Sequence, residues 1–372
     1  MNFQKLTDFL DYLPQEGIPA CDMSVWKDHK EIYRHSAGMG RLPDPDAVAY
    51  IYSCTKIMTV CAAMTLFEQG KFVMNTPVSD FLPEYAHLRV RTPDGSSVPA
   101  KKPVTMLQLF TMTSGWAYDF DDPAIAELKE KTNGHCSTRE VARAVAKIPL
   151  HFEPGERFLY GFSHDILAAV IEVITGEKFS DYVRRVILDP LGMKSTTFTP
   201  TPEIMARMEP QFTYKAATGE TLPDTVHNVY ILGPDHESGG AGAISCVDDM
   251  AKLADCLTHF GMGATGKRIL SRQTVEYMRA PKLTEAQRST FIWKHLGTSY
   301  TYGIGMRVCD NLQGGCMLPI GEFGWGGAAG ALFVCSPELG ISAYYAQHMR
   351  PNREEYVHPR LMNILAACAT EE

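Results

Sequence analysis

The sequence predicts a mixed α/β (α+β) protein with an antiparallel sheet built from both chain ends and a mainly helical middle. Three observations predict it. Residues 20–37 alternate apolar and polar around a polar Asp28-His29-Lys30 cluster, the pattern of a β-hairpin. Residues 330–349, GALFVCSPELGISAYYAQHM, form two β-rich runs joined by Ser336-Pro337-Glu338-Leu339-Gly340, a second hairpin signal. Between them, apolar residues recur at helical spacing in TMLQLFTMTS, STREVARAVAKI, HDILAAVIEVITG and FSDYVRRVILDPLG. The expected organisation is an α/β domain of residues 1–70 and 236–372, an inserted helical domain of 71–235, and a ligand cleft between them.

Along the chain, Phe3, Leu6, Phe9, Leu10 and Leu13 mark an amphipathic first helix. The hairpin and a Pro-rich loop, RLPDPDA, follow. A helix is expected from Ser53 to Gln69, with Gly70 as its stop. Another begins near Val247-Asp248-Asp249 and runs through MAKLADCLTHF, and a last one covers about 353–369. There is no internal repeat or low-complexity tract.

The 372 residues are 45% hydrophobic, ample for a large core and enough for roughly two domains. A net charge of -8, from 43 acidic and 35 basic residues, disfavours nucleic acid as a partner. The N-terminus lacks the basic and then apolar order of a secretory signal, and no segment has the apolar length of a membrane span. None of the ten cysteines forms a C-x-x-C pair, so no metal knuckle is expected. Several sit in apolar runs and read as reduced, buried residues of a cytoplasmic protein.

Two Ser-x-x-Lys patterns occur. In Ser53-Cys54-Thr55-Lys56, on the predicted helix, i and i+3 share a face, so Lys56 reaches the Ser53 hydroxyl. The helix N-terminus adds its positive dipole end and backbone N–H groups that can meet an oxyanion. Lysine acts as a base there only with its pKa lowered, by burial or a neighbouring cation. In Ser24-Val25-Trp26-Lys27, on a predicted strand, the two side chains point to opposite faces and cannot cooperate. By pattern alone, Ser53 reads equally well as an N-cap followed by a surface lysine.

Two further segments bear on this choice. Phe158-Leu159-Tyr160-Gly161-Phe162-Ser163 precedes a long apolar helix, and Gly324-Trp325-Gly326-Gly327-Ala328 precedes the predicted strand Leu332–Cys335. With Ser53 and Lys56 they resemble the three active-site elements of the serine β-lactamase-like superfamily, which includes class C β-lactamases, D-alanyl-D-alanine carboxypeptidases and family VIII carboxylesterases. The phrases VTMLQLFTMTSG, PGERFLYGFSHDILAAVIEVITG, DPLGMKSTTF, SGGAGAISCVDDMAKLA and GAAGALFVCSPELG follow the family's order, so the resemblance covers most of the chain. It implies a β-lactamase/transpeptidase-like fold, a central antiparallel sheet flanked by helices. It also implies Ser53 as nucleophile and Lys56 as base, with Tyr160 shuttling a proton once nearby cations lower its pKa. The backbone N–H groups of Ser53 and Ala328 would form the oxyanion hole, and Gly326 and Gly327 would allow close approach of substrate. A Gly pair also commonly marks a bulge.

Two departures from the family bear on substrate. Trp325-Gly326-Gly327 stands where β-lactamases and carboxypeptidases usually carry Lys-Thr-Gly, so the cation and hydroxyl that help hold a substrate carboxylate are replaced by an indole. This form resembles family VIII esterases. Phe162 stands where β-lactamases place Asn, and it can neither donate nor accept that hydrogen bond. Ser163 reads as an N-cap. Trp116 and Tyr118 are candidate cleft residues, with core packing an equal reading. Arg350 reads as a solvated loop charge, with contact to an anionic substrate group as the alternative, and Gly239, Gly240 and Gly242 as turns near the cleft without a chemical role.

The resemblance implies a carboxylesterase acting on small or medium esters through an acyl-enzyme at Ser53, with no cofactor and no metal. An acyltransferase using the same acyl-enzyme, a β-lactamase or D-amino acid peptidase, and a catalytically silent binding protein are the alternatives. No G-x-S-x-G is present, which removes the local signature of a conventional Ser-His-Asp hydrolase. The expected partner is a small-molecule ester or acyl substrate, with no membrane and no nucleic acid. Nothing in the sequence specifies an oligomeric state.

Overall fold

Strands Ala20–Lys27 (β1) and Lys30–Gly38 (β2) form the expected hairpin in the computed structural model, which describes residues 1–370 apart from 41, 45, 292 and 293, with backbone alone at 294–296. Asp28 and His29 form its two-residue turn, both at positive φ (50° and 64°), the conformation that matches the twist of the flanking strands. The C-terminal third adds Tyr300–Tyr302 (β3), Arg307–Cys309 (β4), Phe323–Gly326 (β5), Leu332–Ser336 (β6) and Ile341–Ala346 (β7). The seven strands lie in the order β2-β1-β7-β6-β5-β4-β3, antiparallel throughout. Pairing of β1 with β7 joins the two ends of the chain.

The main helices are Gln4–Tyr12 (α1), Thr55–Glu68 (α2), Ser163–Thr175 (α3), Val247–Thr258 (α4) and Glu354–Thr370 (α5). They lie on both faces of the sheet, which explains why its central strands are apolar on both sides. Leu332, Val334 and Tyr345 pack with Leu6 and Leu10 of α1 and Leu361 and Leu365 of α5. Phe333, Cys335 and Tyr344 face the other way, into a core shared with α2, α3 and α4. Each fully buried Leu or Phe contributes roughly 1.5–3 kcal/mol. Helix α2 is buried continuously from Thr55 to Leu66, so it is apolar nearly all round, and Lys56 sits inside the core rather than on its surface.

Three parts of the fold differ from the sequence expectation. Gly324–Gly326 precedes the expected strand, β6, but is itself part of a strand, β5, in which Trp325 pairs with Phe333 of β6. Strands β3 and β4 have three residues each, too short to show alternation. Within the expected helical stretch, Gln211–Lys215 pairs with Glu220–Asp224 as a hairpin, turning at Gly219 (φ 74°). Among the described residues no helix is long and apolar enough to cross a membrane.

Candidate active site

The site starts at a backbone bend. Tyr52, Ser53 and Cys54 form a 3-10 turn that leads into α2. Tyr52 takes φ 46°, a left-handed conformation costing about 1–3 kcal/mol for a non-glycine residue. Its buried ring holds the bend, as its hydroxyl donates to Gln211 Oε1 (2.8 Å) and to the His227 carbonyl (3.0 Å). No side chain caps α2, so Ser53 is not an N-cap.

One turn on, Lys56 is fully buried. Its Nζ lies 2.7 Å from the Gly240 carbonyl oxygen, 3.1 Å from Tyr118 Oη and 3.4 Å from Ser53 Oγ. Burial pushes its pKa down to about 7, against the opposing pull of the Asp165 carboxylate. A neutral amine has two N–H donors and one lone pair. The two nearer oxygens match the donors, which leaves the lone pair for the Ser53 hydroxyl. Asp165, buried at the start of α3, accepts from Ser238 Oγ (2.5 Å), the Gly240 N–H (3.1 Å) and Tyr118 Oη (3.3 Å). Gly240 is required there: a Cβ would come within 2.3 Å of Tyr118 Oη and 2.5 Å of Asp165 Oδ2.

Tyr160 completes the cluster. Its ring centroid lies 4.5 Å from Lys56 Nζ, and its hydroxyl accepts the Trp325 indole N–H at 3.0 Å. The Tyr160 and Trp325 rings stack with centroids 5.6 Å apart. Burial pushes the Tyr160 phenol well above its ordinary pKa, with hydrogen bonding to Ser53 and Trp325 opposing it only in part. This corrects the expectation of a phenol made acidic by cations: beside a neutral-poised lysine, Tyr160 rests protonated.

Ser53, Tyr160, Trp325, Gly326, Gly327 and Ala328 line one open cleft of about 390 Å³, together with Tyr230, Arg350 and Asn352. Its back wall is the turn after β5. The Gly327 N–H donates to the Ala331 carbonyl and the Gly330 N–H to the Gly327 carbonyl, both at 2.8 Å. Asn352 Nδ2 donates to the carbonyls of Gly327 (3.3 Å) and Ala328 (3.0 Å), which fixes Ala328 opposite Ser53. A second, much smaller hollow of about 60 Å³, bounded by Cys21, Tyr50, Phe212 and Tyr344, contains none of Ser53, Lys56 and Tyr160.

Several sequence candidates fall elsewhere. Trp116 is fully buried and donates its indole N–H to the Ile148 carbonyl (3.0 Å), so it is a core residue and not a cleft residue. Phe162 is buried among Tyr118 and Phe120 and does not line the cleft. Ser163 caps nothing; its hydroxyl meets Ser114 Oγ at 2.7 Å. Tyr118 takes a different place from the one expected, bonded to Lys56 and Asp165. Arg350 lines the cleft, 4.9 Å from the Tyr52 ring centroid and 5.7 Å from that of Tyr230, rather than standing free on a loop. Asp165, Tyr230 and Asn352 were missed, because no local spacing ties them to Ser53, and Gly240, read as a turn without a chemical role, accepts from Lys56 through its carbonyl.

Residues 3–367 match the Beta-lactamase family model, so the chain belongs to the Beta-lactamase family. It is 26% identical over 383 residues to the acyltransferase calJ of Penicillium decumbens, covering 93% of this chain and 88% of that one. It is 28% identical over 257 residues to the esterase EstB of Burkholderia gladioli, covering 62% of this chain and 63% of that one. Among solved structures, unliganded simvastatin synthase (LovD) of Aspergillus terreus, as its selenomethionyl derivative, superposes with a TM-score of 0.82 over the full length of both chains at 20% identity. That likeness bears out the fold read from the sequence, a β-lactamase/transpeptidase-like sheet flanked by helices.

Proposed function

We propose that this protein is a serine hydrolase that forms an acyl-enzyme at Ser53 and acts as a carboxylesterase on small or medium esters. The observation that carries this reading is the buried Lys56 amine, its pKa drawn down to about 7, next to the Ser53 hydroxyl. Lys56 takes the Ser53 proton as Oγ adds to the ester carbonyl carbon. The oxyanion is met by the backbone N–H groups of Ser53 and Ala328. The C–O bond then breaks, and Tyr160 gives its proton to the departing alkoxide. The proton held by Lys56 returns to Tyr160. Water repeats the sequence on the acyl-enzyme and releases the carboxylic acid.

The cleft supports an ester rather than a lactam. Trp325 supplies neither cation nor hydroxyl, and its indole N–H is already bonded to Tyr160. Phe162 contributes no amide, and Tyr118 bonds Lys56 instead. Arg350 and Asn352 make the far side polar, which favours an ester with a polar or anionic substituent over a purely aliphatic one. A second reading is transfer of the same acyl group to an acceptor alcohol, favoured by the match to an acyltransferase over 93% of this chain. The ten unpaired cysteines, eight of them buried, support a reducing, cytoplasmic setting.

The test is a panel of p-nitrophenyl esters, nitrocefin and D-alanyl peptides, with Ser53→Ala as control and a fluorophosphonate probe for Ser53. Ester turnover lost in Ser53→Ala, with the probe on Ser53, is the expected result. Full activity in that variant refutes the assignment, and faster turnover of nitrocefin than of any ester reverses the substrate order.

A further inference from the structure

We propose that His29, Asp255 and His259 form a divalent-metal site, best suited to Zn²⁺, that ties the β1–β2 turn to the end of α4. One ligand atom from each residue lies within 4.8 Å of the others. His29 Nδ1 is 2.7 Å from Asp255 Oδ2, and His259 Nδ1 is 3.1 Å from Asp255 Oδ1. The two imidazole rings overlap with centroids 4.0 Å apart. The Asp255 side chain is completely buried, while those of His29 and His259 are 33% and 22% exposed. The site is therefore a carboxylate floor with two imidazoles at an accessible rim.

A second observation points to a ligand. Asp255 Oδ1 is buried, and its one close donor among the described residues, His259 Nδ1 at 3.1 Å, is shared with the Asp255 backbone carbonyl at 2.9 Å, so Oδ1 lacks a well-directed hydrogen bond. A buried carboxylate oxygen so weakly satisfied is costly, and a cation bound at it would remove that cost. Two imidazole nitrogens, one carboxylate oxygen and a water at the open rim make a tetrahedral N₂O₂ set, which suits Zn²⁺ better than Ca²⁺ or Mg²⁺. His259 is already oriented, because its Nδ1–H donates to the Asp255 backbone carbonyl at 2.9 Å and leaves the lone pair on Nε2. Bonds of about 2.0–2.1 Å place tetrahedral ligand atoms roughly 3.3 Å apart, so His29 must withdraw by about 0.6 Å. It sits on a two-residue surface turn, where such a shift is small. Local spacing could not show this site, since His29 lies 226 residues from Asp255. It departs from the expectation of no metal and does not depend on the function proposed above.

The test is Zn²⁺ titration of the chelator-treated full chain by calorimetry, with thermal melting alongside. One Zn²⁺ per chain at micromolar affinity or tighter, with a raised Tm, is the expected result. His29→Ala should weaken binding at least tenfold and remove the Tm increase, with metal-free ester hydrolysis unchanged. Asp255→Asn serves as a second variant. Co²⁺ substitution should give visible bands of a tetrahedral N/O site without a sulfur charge-transfer band. Absence of binding at 1 mM Zn²⁺ (on the order of a thousandfold weaker than a working site) overturns the proposal. So do equal affinity in His29→Ala and a sulfur band, each of which would place the metal elsewhere.

Discussion

Replacing Asp165 by Asn should shift the pH dependence of catalysis downward, because it removes a negative charge that favours the protonated form of Lys56. Lys56 must be neutral to accept the Ser53 proton. With its pKa near 7, kcat/KM should rise as pH increases through about 7 and be lost below it. The Asp165 carboxylate works against this by favouring the charged amine. Tyr118 Oη bridges the two groups, 3.1 Å from Lys56 Nζ and 3.3 Å from Asp165 Oδ2, so they are no more than about 6.4 Å apart. Unit charges at that distance, at an effective dielectric of about 20, interact by about 2.6 kcal/mol, or roughly two pH units. Asp165→Asn removes the charge and keeps the shape, and its Oδ1 still accepts from Ser238 and Gly240. The acid limb of kcat/KM for a p-nitrophenyl ester should therefore fall from about 7 to about 5. A melt at matched pH reports whether the fold is intact. An unmoved limb, or one shifted upward in a folded variant, refutes the assignment of the limb to Lys56. Tyr160→Phe separates the two groups, because it should lower the rate by about 10²–10⁴-fold and leave the limb in place.

Other substitutions test the scaffold around the cleft. Gly327→Ala places a Cβ 2.5 Å from the Ile51 carbonyl oxygen, so the turn carrying Ala328 must shift; a 10²–10³-fold loss of kcat, of the size seen when one oxyanion donor is removed, is expected in steady-state assays. Glu322→Ala leaves the buried Arg307 guanidinium without its 2.7 Å partner beneath the cleft and should lower unfolding free energy by about 3–5 kcal/mol in denaturant titration.

What the sequence made legible follows from how local each feature is. The first hairpin and β6–β7 were readable because alternation and turn residues lie within twenty positions of each other. Ser53 and Lys56 were readable as a pair because three residues of helix bring them together. Tyr160 and the Gly326-Gly327-Ala328 turn came from resemblance to a family, since nothing local links them to Ser53. Asp165, Tyr118 and Gly240 control Lys56 from outside its own helix, with Tyr118 62 residues away and Gly240 184. Trp116 and Tyr118 illustrate the limit well. They are two residues apart in an aromatic segment, yet one fills the core and the other bonds Lys56. Side-chain direction at a turn is a tertiary property, and composition does not encode it.

The resting protonation states also bear on hydrolysis against transfer. In the proposed mechanism, acylation leaves Lys56 with the serine proton and Tyr160 without its own. The 4.5 Å contact between Lys56 Nζ and the Tyr160 ring keeps the two charges adjacent, and burial of both favours their return to neutral forms. Base and acid are thereby reset before the second nucleophile arrives. Water and an alcohol present the same O–H to that reset pair, so the catalytic groups themselves do not discriminate between them. Discrimination falls to the cleft, whose volume of about 390 Å³ and polar Arg350 and Asn352 leave room for water. On this proposal hydrolysis is the expected outcome, and transfer requires an acceptor large enough to occupy the cleft and exclude water from Ser53. Product partitioning at rising concentrations of a bulky acceptor alcohol measures this competition: the transferred fraction should saturate with acceptor, whereas a simple linear rise would mean that no acceptor site exists.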